Sequence, residues 1–380
     1  MVMDFNLSSD QIAIQKMSKE FNAREIEPIA SQIDRSARLP DSMLKKFAKL
    51  GLLGMTVPKM YGGPQTSNLN CILAIEQLAY SGTGVWWLTG FHNSIPESIS
   101  VFGSEEIKRK YLRPLCTGEA YASIQFTEEE TGSDPRMLTT TSKATEDGYV
   151  INGTKRFSTF GSRDGYAVTY TRDEDGNCTA FIVEKNTAGY TTTSLWELMG
   201  SGGVEAVDVY YEDFVAPKEN LLGKKGEGFK ILLHWIAAEK IEQCSAAVGI
   251  AQAALDESIK YTSSRKSRGK LVSDMQGIRW MLADMKVKLD ACRLMTYRAA
   301  FLQDQQSSDW QVEAASAKLF VVPAALEIVE TAKRLHGGYG YTSDLKIERL
   351  YRAIAGFSAI AVSLEINKSI VGSALFEKKG

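Results

Sequence analysis

The spacing of apolar residues changes twice along this 380-residue chain, and that double change restricts the fold more than any other feature. From Ser9 to about Gly118 apolar residues recur at three and four, as in "DQIAIQKMSKEF", "DSMLKKFAKLGLLGM" and "CILAIEQLAY". Such spacing belongs to amphipathic helices, each with one face to bury. Near Tyr121 the period drops to two, in "GYVINGTKRFST", "GYAVTYTR", "TAFIVEK" and "AVDVYYEDF", with "EDG" and "DEDGN" turns between them. The middle therefore reads as antiparallel β. Past "APKENLLGKKGEGF" the helical period returns in four longer segments, at about 228–264, 274–303, 310–335 and 344–375, which predict a bundle. Asn6 or Ser8 and Pro40-Asp41 suit helix starts; Gly51, Gly103 and Gly118 suit stops. The expected fold is α+β, mostly α: a helical part over 1–120, a β part over 121–224 and a four-helix bundle over 225–380, packed as layers of one unit.

Charge and cysteine usage narrow the partners. With 44 basic against 46 acidic residues there is no electrostatic footprint for nucleic acid or an anionic membrane surface, so a small molecule or a protein is expected. Cys71, Cys116, Cys178, Cys244 and Cys292 are scattered without CxxC pairs, which argues against a disulfide scaffold and a zinc site and fits a reducing, cytoplasmic setting. The start, "MVMDFNLSSDQIAIQKMSKEF", lacks a basic end with an apolar run, and no stretch approaches the roughly 18 apolar residues of a membrane span.

Several motifs admit two readings. "GSGGVE", Gly200 to Glu205, runs into a strand rather than a helix, so a surface hairpin turn is expected rather than a phosphate cradle. "HGGYGY", His336 to Tyr341, is either a turn between helices or a place where backbone N–H groups meet a pyrophosphate. His92, His234 and His336 form no metal spacing and read as hydrogen-bonded structural histidines; there is no GxSxG elbow for hydrolysis. "FTEEETGSD" at Phe126 to Asp134 and "INGTKRFSTFG" at Ile151 to Gly161 either line a planar ligand with hydroxyls and aromatics or are simply an acidic loop and a strand.

Taken together, those last two stretches make the chain resemble the acyl-CoA dehydrogenase family from end to end. "MDFNLSSDQ", "YGGP", "VAPKENLLGKKGEGFK", "AAVGIAQAALDESIKY", "HGGYGY" and "IER" support the likeness. The resemblance implies an N-terminal helical domain, a central β-barrel domain and a C-terminal four-helix bundle, bound FAD, and a homotetramer or homodimer. It also implies an acyl-CoA or acyl-carrier-protein substrate, and a flavoprotein or oxygen as electron acceptor. By position, Phe126, Thr127, Thr159 and the ring of Phe157 match residues around the flavin, Phe157 standing for the usual tryptophan. Ser133 matches a serine near cofactor and thioester arm, while Arg265, Gln276, Gly337, Gly338 and Gly340 match dinucleotide contacts. Arg268 and Arg334 depart from the phenylalanine and glutamine common there.

In the family a carboxylate takes the α-proton while the β-hydride leaves for flavin N5, and hydrogen bonds hold the thioester carbonyl. Many members carry that glutamate in a "YEGT" segment, over which "RAIAGFSAIAVSLEINK" places Ile360, Ala361, Val362 and Ser363. Ala361 cannot take a proton, although its backbone N–H can still hold the carbonyl and Ser363 can still meet the cofactor. Glu239, in "HWIAAEKIEQCSAAVG", falls where isovaleryl-CoA and long-chain dehydrogenases keep their base on a neighbouring helix. Its competing reading is an exposed glutamate paired with Lys240 or Lys260. Lys240 stands where arginine is usual, which points to a non-standard acyl group such as secondary-metabolism relatives oxidise on carriers; His92 and Glu97 are expected to add polarity near the substrate. The alternatives to a dehydrogenase are a desulfinase or flavin monooxygenase on the same fold, and a non-catalytic assembly partner.

Overall fold

A computed structural model gives the fold and describes residues 6–132 and 137–377. The N-terminal part holds α1 (Ser9–Phe21), α2 (Ala30–Ser36), α3 (Met43–Lys49), α4 (Asn68–Ala79), α5 (Trp86–Phe102), α6 (Glu105–Ile107) and α7 (Arg113–Cys116). Ser8 starts α1 with a capping box: its hydroxyl accepts from the Gln11 N–H at 3.3 Å, and the Gln11 side chain accepts from the Ser8 N–H at 2.8 Å. Gly51 and Gly118, which follow α3 and α7, take positive φ.

Eight strands follow: β1 (Tyr121–Gln125), β2 (Thr141–Ala144), β3 (Gly148–Thr159), β4 (Gly165–Arg172), β5 (Cys178–Glu184), β6 (Tyr190–Thr192), β7 (Ala206–Pro217) and β8 (Leu221–Leu222). They form one sheet in the order β6-β7-β3-β2-β4-β5-β8, with β1 paired to β4. The pairing is mixed rather than antiparallel throughout: β1 runs parallel to β4, Tyr121 opposite Gly165, and β2 meets β4 in parallel through Thr141 and Arg172. Hairpin turn signals predict only sequential neighbours. β1 arrives from the helical part, so nothing local sets its direction.

The C-terminal part contains α8 (Gly228–Ser264), α9 (Gln276–Asp304), α10 (Trp310–Leu335), α11 (Lys346–Ala355) and α12 (Leu364–Glu377). From Trp235 to Leu255 nearly every residue of α8 is buried, because the helix is wrapped by α4, α5, α9 and α10. The expected fourth long helix is two helices. The α-helix is interrupted over 356–363, first by a 3-10 turn at Gly356–Ser358 and then by Ala361 and Val362, which adopt φ of 49° and 62°. This break shares a cavity wall with Trp235 and Glu239 from the N-terminal third of α8 and is the feature that positions the site.

Candidate active site

A cavity of about 560 Å³ lies where the sheet meets the bundle. Trp235 and Glu239 reach it from α8, Trp87 and Phe91 from α5, and Phe126 and Thr127 from the end of β1. Phe157 and Thr159 come from β3, and residues 359–363 close another side. Phe91 and Trp235 meet edge to face at 5.8 Å between centroids, and Phe126 lies 6.0 Å from Trp235. The Trp235 indole N–H donates to Ser94 Oγ at 3.1 Å, so its ring is fixed at both ends.

Among the described residues Glu239 is the one acidic side chain in this wall. It is 2% exposed, and its Oε2 has no hydrogen-bond partner among the described residues. Burial pushes its carboxyl up to about 8, against the pull of the Lys318 and Lys240 ammonium groups. The exposed-glutamate reading is thereby set aside. Glu242, one turn on, is also buried, its Oε2 without a hydrogen-bond partner among the described residues, but it packs over Gly90 of α5 and does not line the cavity.

The break opposite Glu239 is held from α10. Lys318 is fully buried, and its ammonium donates to the carbonyls of Ile360, of Ala361 at 3.1 Å and of Val362 at 2.9 Å. The next carbonyl, of Ser363, accepts from the Asn367 side chain at 2.8 Å. Left-handed φ at an alanine and a β-branched valine costs of order 1–3 kcal/mol each. Charge-assisted bonds from one ammonium with three donors offset that cost.

The same cavity suits a large planar group. Phe157 sits at its edge with φ of 54° and 52% of its surface exposed, beside Trp196 at 5.0 Å between ring centroids. Asp208 fixes both members of the pair, accepting from the Trp196 indole N–H at 2.8 Å and from the Phe157 N–H at 3.4 Å. The Thr127 and Thr159 side chains line the wall next to this aromatic face. A second groove of about 470 Å³ lies outside, lined by Arg265, Arg334, His336, Gly337 and Gly338, with room beyond both glycines for a ligand.

Several expected residues stand elsewhere. His92 is a core histidine: its Nδ1–H donates to the Leu88 carbonyl at 2.9 Å and its Nε2 accepts from the Ala122 N–H at 3.0 Å. Burial drives its pKa down to about 3, so it is a neutral brace outside the cavity wall rather than a substrate group. Glu97 pairs with His234 at 3.3 Å. Lys240 is buried but does not line the cavity, and Gln276 is exposed at the start of α9. Gly340 is a packing glycine, since a Cβ there would meet the Lys333 carbonyl at 2.3 Å. Ser363 lines the cavity, and Ser133 lies outside the described residues.

"GSGGVE" does turn, the Val204 N–H donating to the Ser201 carbonyl at 3.2 Å between the antiparallel neighbours β6 and β7, but it is buried rather than on the surface. Gly200, Ser201 and Val204 line the cavity, and a Cβ on Gly200 would fall 2.4 Å from the backbone of Arg352. On Gly202 it would fall 2.5 Å from that of Asp34. The glycines let this segment pass between α11 and α2. Sequence reasoning also missed Lys318, for which one signal exists: a lysine inside the apolar run "AKLFVVPAAL".

Three family models span the chain: the N-terminal domain of acyl-CoA dehydrogenase matches residues 8–119, its middle domain 123–214 and its C-terminal domain 226–376. A short-chain specific acyl-CoA dehydrogenase of Clostridium acetobutylicum is 34% identical over 381 residues, covering 98% of this chain and 100% of its own length. The solved butyryl-CoA dehydrogenase of Megasphaera elsdenii matches with a TM-score of 0.95 at 30% identity, over 98% of this chain and 100% of that one. The prolyl acyl carrier protein oxidase AnaB matches at 0.91 and 26%, over 97% and 100%. Matching structures also include complexes with FAD and FADH2, and FAD fits the aromatic and hydroxyl-lined bed described above.

Proposed function

The chain belongs to the acyl-CoA dehydrogenase family of FAD-dependent oxidoreductases, and from that premise we propose that it oxidises the Cα–Cβ bond of a compact acyl thioester with Glu239 as base. The observation that carries this reading is a shielded carboxylate with a free oxygen in the wall of the cavity that also holds the aromatic bed and Ala361.

Phe126, Thr127, Phe157, Thr159 and Ser363 hold FAD, with Arg265, Gly337 and Gly338 at its dinucleotide end. Bound FAD supplies the acceptor for the β-hydride. Glu239 takes the α-proton, and its raised pKa matches it to a weakly acidic C–H near neutral pH. The Ala361 N–H takes the thioester oxygen as negative charge grows there. Trp87, Phe91 and Trp235 exclude water and fill the inner end, which favours a short or compact acyl group. The likeness to AnaB supports an acyl carrier protein as donor of that group, beside CoA. An exposed apolar row on α9, Trp280, Val287, Leu294 and Phe301 at seven-residue spacing, supports self-association as a dimer or tetramer.

The test is anaerobic titration of the FAD-loaded protein with CoA and carrier thioesters, followed by flavin bleaching. One of these bleaches the native protein and not Glu239→Gln, while Glu242→Gln still reacts. Bleaching that survives in Glu239→Gln and is lost in Glu242→Gln overturns the assignment.

A further inference from the structure

The three carbonyls gathered by Lys318 belong to three successive peptide units, 360–361, 361–362 and 362–363. All are trans, and in a trans unit the C=O and the N–H point in opposite directions. Pulling the three oxygens toward one ammonium therefore turns the N–H groups of Ala361, Val362 and Ser363 away from it. These residues line the cavity and Lys318 does not. Among the described residues no acceptor takes the N–H of Ala361 or Val362. The result is a concave row of free donors, the kind of backbone arrangement that binds anionic oxygen.

Nothing local requires this shape. The break contains one glycine, Gly356, and it lies five residues before the left-handed pair. Left to itself, "AIAVS" would continue the helical path of α11 into α12. The constraint comes from α10, and its stoichiometry is matched: an ammonium has three N–H bonds, and three carbonyls accept them.

We infer that Lys318 is a positioning residue for the proposed reaction, holding the 360–363 backbone so that its N–H groups form a preset site for the thioester oxygen. The inference rests on the function proposed above, and the experiment separates the two. Holoenzyme is mixed with 3-thiabutyryl-pantetheine, which carries the arm common to CoA and carrier proteins. Its α-proton can leave to the enzyme base, but sulfur occupies the β-position and no hydride follows. The bound enolate is read as a long-wavelength absorbance against oxidised flavin, titrated with pH.

In Lys318→Met the midpoint of this titration rises by about 1–2 pH units. With an oxidisable thioester kcat falls roughly a hundredfold while KM stays within about threefold, the loss expected for a misplaced oxyanion donor. Adding Val362→Gly, which removes the side chain that resists positive φ, restores part of both. Should Lys318→Met fail to hold FAD, Lys318→Gln is read in its place with the same expected direction. An unmoved midpoint, or one that Val362→Gly does not bring back, overturns the inference, because loss of the ammonium charge near Glu239 shifts the midpoint on its own but does not respond to the backbone change. If the native protein never forms the enolate, the proposed function fails and the inference with it. If the native protein forms it and the variant matches it, only the inference fails.

Discussion

The inner cavity and the outer groove are lined by the same kinds of residue, glycines, arginines and aromatics, yet they are finished to different degrees. In the cavity the groups around the carboxylate of Glu239 are fixed by other parts of the chain: Trp235 by Ser94, the break by Lys318, Phe157 and Trp196 by Asp208. In the groove Arg265, Arg334, Gly337 and Gly338 are exposed, and Tyr341 beyond them is 88% exposed. The difference follows from what each end has to do. Proton and hydride transfer depend on placement to within a fraction of an ångström, whereas anchoring a dinucleotide depends on summed contacts that a second surface can complete. Mutations at the two ends should therefore separate rate from affinity.

The largest effect is expected at the inner end. Glu239→Gln lowers the rate of flavin reduction at least about a thousandfold, with FAD content unchanged by absorbance, since it removes the base and keeps the volume. The pH profile sharpens the same point. Glu239 works only when ionised, so with a pKa near 8 the reduction rate climbs roughly a hundredfold from pH 6 to pH 9 in stopped-flow bleaching. Stability runs the other way. The folded-state pKa lies above the ordinary carboxylate value, so folding binds a proton between about pH 4.5 and 8, and stability is lost as pH rises through that window. Glu239→Gln removes this loss and unfolds later than the native protein at pH 9, with the gap closing below pH 5. At the outer end Arg265→Ala weakens FAD binding about tenfold by fluorescence titration, and leaves the reduction rate of the FAD-saturated protein within about twofold. A rate loss there equal to the affinity loss breaks the comparison.

The same contrast marks what was legible in the sequence. The periodicity of α8 and α10 predicts both helices with their observed ends, because each presents an apolar stripe over seven or more turns. Glu239 was readable as a candidate base only through the family resemblance, since locally "AAEKIEQC" offers Glu242 as well and equally suits an exposed glutamate paired with a lysine. The break at 356–363 was not. Its cause is Lys318, more than forty residues earlier, and no local residue marks the left-handed pair. "GSGGVE" was legible as a turn but not as a buried one: its glycines also serve close approach to Arg352 and Asp34, which lie far away in sequence. The reading of His92 as a hydrogen-bonded structural histidine agrees with its contacts to Leu88 and Ala122, whereas its expected place near the substrate does not, because its second partner lies in the sheet and leaves no local mark.

His92 supplies the smallest expected effect, and it tests whether burial near the site is the same as membership of it. A glutamine amide can reproduce both of its contacts, donating to the Leu88 carbonyl and accepting from the Ala122 N–H. His92→Gln is expected to change the reduction rate by less than about twofold and to lower stability by about 1–2 kcal/mol at pH 7 in urea unfolding. The sign of the pH dependence distinguishes this from a catalytic role. With a folded-state pKa near 3 the native imidazole stays neutral, while the unfolded one takes up a proton below pH 6.5, so the native protein loses stability as pH falls from 6.5 toward 3. Glutamine has no proton to gain, and the gap between variant and native protein should narrow across that window. A gap that widens on acidification, or a rate that falls with the substitution, would place His92 among the groups that serve the substrate.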